Sequence, residues 1–95
     1  MNINYIAKKH WKWVEGMKWH NKTWLECMAL VASEVGEAIQ EVRRDAVSKP
    51  KLGEELADII LRTLDLMIIA DLDPEGEIIR KMDINQARGT RGRKF

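Results

Sequence analysis

The spacing of hydrophobic positions along the chain predicts four helices and no strands. Apolar residues recur at helical intervals in four segments, and no segment shows the strict alternation that is typical of a strand. Turn and capping residues bound these segments. The predicted helices cover residues 2–19, 24–44, 51–71 and 74–87. We therefore expect an all-α fold, a four-helix bundle with short connections.

Two of these helices begin at recognisable capping signals. Residues 23–26, with the sequence TWLE, have the S/T-x-x-E form of a capping box, in which a hydroxyl and a carboxylate each satisfy a free backbone N–H. Asp73 is a capping residue followed by a proline at the first helical position. We therefore expect the second helix to begin at Trp24 and the fourth at Pro74.

The third predicted helix is apolar around most of its circumference. Between residues 56 and 70 only four positions are polar, and three of them share one stripe with Glu55, namely Asp58, Arg62 and Asp65. A helix of this kind is covered on several sides. We expect its charged stripe to face a cavity or another polar stripe. We also expect the chain to bury its remaining apolar surface in an oligomer.

The composition indicates one small domain covering residues 1–95. Hydrophobic residues make up 45% and charged residues 33%, a profile that argues against a disordered chain. The single cysteine, Cys27, excludes an internal disulfide and, with only two histidines, a structural zinc site. Apolar runs such as residues 66–70 are far shorter than the roughly 20 residues that span a bilayer. We expect a soluble cytoplasmic protein with no membrane partner.

Charge is distributed unevenly along the chain. Residues 1–79 carry 10 basic and 14 acidic side chains, whereas residues 80–95 carry six basic side chains and one acidic one. Residues 88–95 are the basic tail of the domain. An acidic body with a basic tail suggests metal binding in the first part and phosphate contact in the second.

Two acidic pairs are the strongest candidate for chemistry. Glu34 and Glu37 lie one helical turn apart on the second helix, as Glu55 and Asp58 do on the third. In an antiparallel hairpin centred on residue 46, Glu34 lies level with Asp58 and Glu37 with Glu55. Four converging carboxylates need a cation, and an all-oxygen set suits Mg²⁺ or Mn²⁺. The alternative is two solvated helix faces, but the shared register and the apolar flanks favour a metal site.

These residues resemble those of the MazG-like, all-α nucleoside triphosphate pyrophosphohydrolases. The resemblance covers roughly residues 19–94. It rests on E-x-x-E within SEVGEA, on E-x-x-D within GEELADIILRTLDL, and on the later K-M-x-x-N-x-x-R with the basic stretch that follows it. It implies a Mg²⁺-dependent enzyme that cleaves a (deoxy)nucleoside triphosphate to a monophosphate and pyrophosphate, in nucleotide-pool house-cleaning. It also implies a homodimer or homotetramer whose active sites lie between helices and are often completed by a neighbouring subunit.

The resemblance also assigns roles at the acidic pairs. The implied ligands of one or two Mg²⁺ ions are Glu34, Glu37, Glu55 and Asp58. Glu34 and Glu37 are the candidate catalytic residues, and we expect Glu34 to accept a proton from the attacking water. Many relatives carry another glutamate where this chain has Ser33, so Glu41 is considered as its substitute.

The substrate contacts implied by the resemblance lie in two other parts of the chain. On the fourth helix they are Lys81 and Asn85, one turn apart, and Arg88, with Arg91, Arg93 and Lys94 as further candidates to close over the triphosphate. Ahead of the second helix they are Trp19 and His20. Four tryptophans fall within residues 11–24. One interpretation is that these rings anchor the first helix on the core or fill an oligomer interface. The other is that one of them, with Trp19 as the best candidate, stacks on the base of the nucleotide.

Two alternatives stay open on the sequence alone. The same fold can act on phosphoribosyl-ATP. A different class is a non-enzymatic helical regulator that binds nucleic acid through the basic tail. The second alternative gives no reason for four acids to converge inside an apolar hairpin, and it is therefore disfavoured.

Overall fold

Capping and turn residues set the ends of four α-helices in the protein. The structure, a computed structural model, describes residues 2–89. Its helices are α1 (Ile3–Gly16), α2 (Trp24–Val42), α3 (Lys49–Ile69) and α4 (Pro74–Arg88), and no strand occurs in the described residues. The prediction of an all-α chain with four helices is confirmed. None of these four helices is long and apolar enough to cross a membrane.

The predicted start of α2 is confirmed in atomic detail. The Thr23 hydroxyl accepts a hydrogen bond from the backbone N–H of Glu26 at 3.1 Å, and the Glu26 carboxylate accepts one from the N–H of Thr23 at 2.9 Å. This reciprocal pair satisfies two of the four N–H groups that every helix start leaves free.

Six helix boundaries differ from the sequence-based ones by one to three residues. α1 begins one residue late, at Ile3, and α2 and α3 each end two residues early, at Val42 and Ile69. α1 ends at Gly16, three residues early, because Lys18 adopts a positive φ of 62° and the Trp19 N–H closes back on the Val14 carbonyl. α3 begins at Lys49, two residues early, because the Ser48 hydroxyl caps it and Pro50 fits its first turn. α4 extends one residue further than predicted, to Arg88.

The start of α4 is held by α1 rather than by its own capping residue. The Asp73 side chain makes no capping hydrogen bond. Instead, Asn4 of α1 donates to the Asp73 carboxylate at 2.6 Å and accepts from the Glu75 N–H at 2.9 Å. A side chain from another helix thus does the capping, and it fastens α1 to α4 at the same time.

Helix α3 is the centre of the arrangement. Within the described residues it contacts each of the other three helices and packs most closely with α2, whereas α4 contacts α1 and α3 but not α2. This confirms the expectation that the most apolar helix is covered on several sides.

The apolar core of a single chain is small. Within residues 2–89 the buried apolar side chains are Ala7, Val14, Cys27, Ala38 and Leu64, and no large side chain is fully buried. The radius of gyration is 15.5 Å, against about 12 Å for a compact domain of this length. Much of the apolar surface of the helices therefore lies outside the core.

Candidate metal centre and adjoining cavity

Helices α2 and α3 form an antiparallel hairpin. Near the connection, the Ser48 N–H donates to Glu41 Oε1 at 3.0 Å. Two turns further away, Arg62 Nε donates to Glu34 Oε1 at 3.5 Å. The two helices therefore run in opposite directions, as the predicted hairpin requires.

Three of the four predicted metal ligands meet between these helices. Glu34, Glu37 and Glu55 each offer one carboxylate oxygen, and these three oxygens lie within 4.8 Å of one another. Burial differs within this acidic trio, since Glu55 is only 9% exposed, Glu34 is half-buried and Glu37 is exposed. The arrangement has two acids in the wall of the hairpin and one at its open edge.

The acidic trio is incompletely neutralised by the protein. Glu34 Oε1 faces Arg62, and Glu55 Oε1 faces Lys51 Nζ at 3.8 Å. The second oxygens, Oε2 of both Glu34 and Glu55, are buried and have no hydrogen-bond partner in the described residues. Because buried carboxylate oxygens are normally bonded, two such atoms beside a third acid indicate a missing cationic or donor partner.

Asp58 does not join the acidic trio. The Glu34 side chain pairs with Arg62, one turn beyond Asp58 on α3, while Glu37 meets Glu55 as the predicted register requires. Asp58 is exposed and lines the neighbouring cavity instead. Its role as a metal ligand stays a prediction.

Glu41 has a local structural task. It is 4% exposed, accepts the Ser48 N–H and pairs with Arg44 Nε at 3.0 Å. It therefore ties the end of α2 to the start of α3 and is not free to replace an acid at Ser33, which is exposed on α2.

A cavity of about 210 Å³ is lined by Arg62, which faces Glu34, but not by the three acids themselves. It lies between α1, the α1–α2 connection, α2 and α3. Its aromatic lining consists of His10, Trp11, Trp13 and Trp19. Its charged lining consists of Lys22, Asp58, Arg62 and Asp65. The predicted candidate Trp19 is thus in the cavity wall, where it meets the Trp13 ring edge-on at 5.1 Å.

Arg62 joins the cavity to the acidic trio. Its side chain lines the cavity and also faces the Glu34 carboxylate. The expectation that the charged stripe of α3 faces a cavity and other polar groups is therefore confirmed for Asp58, Arg62 and Asp65. Cys27 is a further part of the wall, and burial raises the pKa of its thiol, which keeps it protonated at neutral pH.

Sequence reasoning did not identify His10. Its Nδ1 lies 2.8 Å from Asp65 Oδ1, and both residues line the cavity. The sequence contains one weak signal, which is that His10 shares a helix face with Trp13 and Val14. It could not show the contact with Asp65, because that contact depends on the docking of α1 on α3.

The other predicted substrate contacts lie away from the cavity wall. His20 is exposed and packs edge-on against Trp11 at 6.4 Å. Lys81, Asn85 and Arg88 are exposed on α4, which contributes no residue to the cavity lining. The tail positions Arg91, Arg93 and Lys94 lie outside the described residues. These roles stay predictions.

Comparisons with protein-family models, curated proteins and solved structures found no match for this chain. The MazG-like resemblance therefore stays a prediction based on the motif residues.

Proposed function

We propose that the protein is a Mg²⁺-dependent nucleoside triphosphate pyrophosphohydrolase of the MazG-like type. In this reaction water and a (deoxy)nucleoside triphosphate give a monophosphate and pyrophosphate. The observation that carries the proposal is the pair of buried, unpartnered oxygens on Glu34 and Glu55, within a trio of acids that opens beside an aromatic cavity.

The donor atoms of the acidic trio fit Mg²⁺. They are all carboxylate oxygens, which Mg²⁺ and Mn²⁺ prefer and zinc does not. The ion would be held by Glu34, Glu37 and Glu55, with Asp58 as the fourth predicted ligand. When bound, it would neutralise phosphate charge and make the attacking water more acidic.

The other groups at the site suit the two ends of a nucleotide. The indole rings of Trp13 and Trp19 offer the apolar surface on which a flat base packs. Lys22 and Arg62 place positive charge at the same cavity, where they can contact phosphate oxygens. We assign to Glu34 the acceptance of the proton from the attacking water, since it is the half-buried acid beside Arg62.

The cavity is small for a whole nucleotide. Pockets that enclose drug-sized ligands measure about 300–1,000 Å³, and this one measures about 210 Å³. A base can enter it while the phosphates extend towards the acidic trio. Lys81, Asn85 and Arg88, the predicted contacts on α4, would then reach the phosphates in one of two ways. They would come from α4 of a neighbouring copy, or from α4 of the same chain after it closes over the site.

The proposal includes a homodimer or homotetramer joined through α2. Six apolar or small residues repeat along α2 in alternating steps of three and four, the spacing of a helix–helix seam. They are all exposed, and they are Leu25, Met28, Ala32, Val35, Ile39 and Val42. Two copies of this α2 seam in antiparallel pairing about a twofold axis would match Leu25 with Val42 and Met28 with Ile39.

Hydrolysis of a panel of nucleoside triphosphates with Mg²⁺, followed by identification of the products, tests the proposal. The panel contains the common ribo- and deoxyribonucleotides and phosphoribosyl-ATP. We expect a monophosphate and pyrophosphate from at least one nucleoside triphosphate. Release of diphosphate and phosphate, hydrolysis of phosphoribosyl-ATP alone, or no hydrolysis of any compound would contradict the proposal.

Two variants connect the activity to the acids. Glu37→Gln and Asp58→Asn change exposed side chains and should therefore stay folded, and both are expected to lose activity by about 100-fold or more. Glu54→Gln is the matched control, since Glu54 is an exposed acid of α3 beside Glu55. Full activity in both test variants would overturn the assignment.

A further inference from the structure

The cavity beside the acidic trio contains a histidine that a carboxylate fixes in one orientation. His10 Nδ1 and Asp65 Oδ1 are 2.8 Å apart. Asp65 is 8% exposed and the His10 side chain 22% exposed, so the pair is largely shielded from water. Asp65 comes from the middle of α3 and His10 from the second half of α1, so the contact depends on the docking of these two helices.

The carboxylate determines which nitrogen of His10 carries the proton. An ionised carboxylate accepts hydrogen bonds and donates none, so Nδ1 must carry the hydrogen that bridges to Asp65. In the neutral imidazole the other nitrogen, Nε2, is then a hydrogen-bond acceptor. Nε2 has no hydrogen-bond partner within residues 2–89. The neutral His10 ring therefore offers an acceptor of fixed polarity in a wall that also contains three tryptophans and the carboxylates of Asp58 and Asp65.

The aromatic part of the remaining lining suits a flat ring. Trp13 and Trp19 meet edge to face at 5.1 Å and 90°, and His10 packs against Trp13 at 5.7 Å. Flat aromatic groups pack favourably on such surfaces. Arg62, which lines the same cavity and faces Glu34, leads from the ring site towards the acids. A base at one end and phosphates at the other match this layout.

We propose that this cavity selects nucleobases with an exocyclic amino group, of the cytosine or adenine type, through a hydrogen bond from that amino group to His10 Nε2. Asp65 is the positioning residue, because it holds His10 in the tautomer that accepts. An oxo group at the same place would bring a second acceptor against Nε2 and leave both atoms unbonded. The inference rests on the proposed function only for the choice of a nucleotide as ligand.

Binding of nucleoside monophosphates without metal tests this selection. Quenching of tryptophan fluorescence is measured with a metal chelator present, for two matched pairs, cytidine against uridine monophosphate and adenosine against inosine monophosphate. The members of each pair differ in the exocyclic group, amino or oxo, and in the proton on the adjacent ring nitrogen. We expect the amino member of at least one pair to bind roughly tenfold more tightly. A preference for the oxo member, equal binding within both pairs, or no saturable quenching at millimolar concentration would overturn the proposal.

Two variants separate the hydrogen bond from a merely structural role. His10→Asn keeps an amide nitrogen close to the position of Nδ1, so it can still bond Asp65, but it lacks any atom at Nε2. Asp65→Asn leaves His10 in place but allows either tautomer to form. Both are expected to bring the amino-to-oxo affinity ratio close to one, while the thermal unfolding of His10→Asn stays near that of the wild type. An unchanged ratio in both variants would refute the role of the pair.

A matched control and a comparison with hydrolysis keep this inference separate from the proposed reaction. Asp83→Asn removes an exposed carboxylate of α4 and should leave the ratio unchanged. If the triphosphate panel releases no pyrophosphate but the amino preference is present and is lost in His10→Asn, the reaction is wrong and the ring site stands. If hydrolysis proceeds without any amino preference, the ring site is wrong and the reaction stands.

Discussion

At the scale of single residues, Glu34 and Glu55 are in an environment that does not favour their charge. Each has one oxygen near a cation and one oxygen buried without a partner, and the third acid, Glu37, adds a like charge within 4.8 Å. Both ion pairs are long, with Arg62 Nε 3.5 Å from Glu34 and Lys51 Nζ 3.8 Å from Glu55. When all three acids are ionised and no cation lies between them, their like charges repel one another.

The change Glu55→Gln tests this repulsion. It removes one of three like charges without changing the side-chain size, so we expect the metal-free protein to be more stable by about 1 kcal/mol. The same change should abolish the stabilisation that added Mg²⁺ gives the wild type. Thermal unfolding with and without Mg²⁺ measures both effects. Glu54→Gln serves as the control, and a loss of metal-free stability in Glu55→Gln greater than in that control would contradict the interpretation.

Single residues also show how much of the site could be predicted from the sequence. The acidic pairs were visible because an i, i+3 spacing on a helix fixes which side chains share a face. The His10–Asp65 contact was not, because 55 positions separate the two residues and their meeting depends on how α1 docks on α3. The displacement of Asp58 from the acidic trio has a similar cause, since the relative position of α2 and α3 depends on packing.

At the scale of elements, the sequence predicted both the start of a helix and its capping partner where the residue just before the helix does the capping. Thr23 and Glu26 cap α2 as predicted. Asp73 precedes α4 as predicted, but Asn4 replaces it in bonding the first turn. The sequence therefore located the helix start, while the identity of the partner came from a tertiary contact.

The capping box predicts a pH effect on the stability of α2. Hydrogen bonds from the Thr23 backbone N–H and hydroxyl hold the pKa of the Glu26 carboxyl below its ordinary value of 4.5. A lowered folded-state pKa gives stability that is present above pH 4.5 and is lost as the pH falls through the folded value. Glu26→Gln should therefore lose less stability than the wild type on acidification below pH 4.5.

Denaturant unfolding at a series of pH values checks this effect. The difference between wild type and Glu26→Gln is the quantity of interest, because the other acids titrate in both proteins. Parallel stability curves across the acid range would show that the capping carboxylate makes no contribution that depends on its charge.

At the scale of the whole molecule, a single chain leaves too much apolar surface uncovered. On the α2 seam Leu25 is 80% exposed and Ile39 is 48% exposed, and few apolar side chains are buried within the described residues. Surface of this extent usually marks an interaction site. The sequence indicated an oligomer through the apolar third helix, whereas the structure covers much of α3 and leaves the α2 seam exposed.

A charge in the α2 seam tests the oligomer. Ile39→Glu would bury an unpaired carboxylate at the proposed interface, so we expect a shift from dimer or tetramer to monomer and a fall in thermal stability. Sedimentation analysis measures the mass in solution. Val47→Glu is the control, since Val47 is exposed in the α2–α3 connection, outside the α2 seam. A monomeric wild type, or an Ile39→Glu variant with unchanged mass, would contradict this interface.

The proposed reaction depends on a divalent ion at the acidic trio, and calorimetric titration with Mg²⁺ and with Mn²⁺ tests that claim most directly. We predict saturable binding of one or two ions per chain for the wild type and for Glu54→Gln, and its loss in Glu37→Gln and Glu55→Gln. Absence of saturable binding to the folded wild type, or equal binding in all four proteins, would contradict the account.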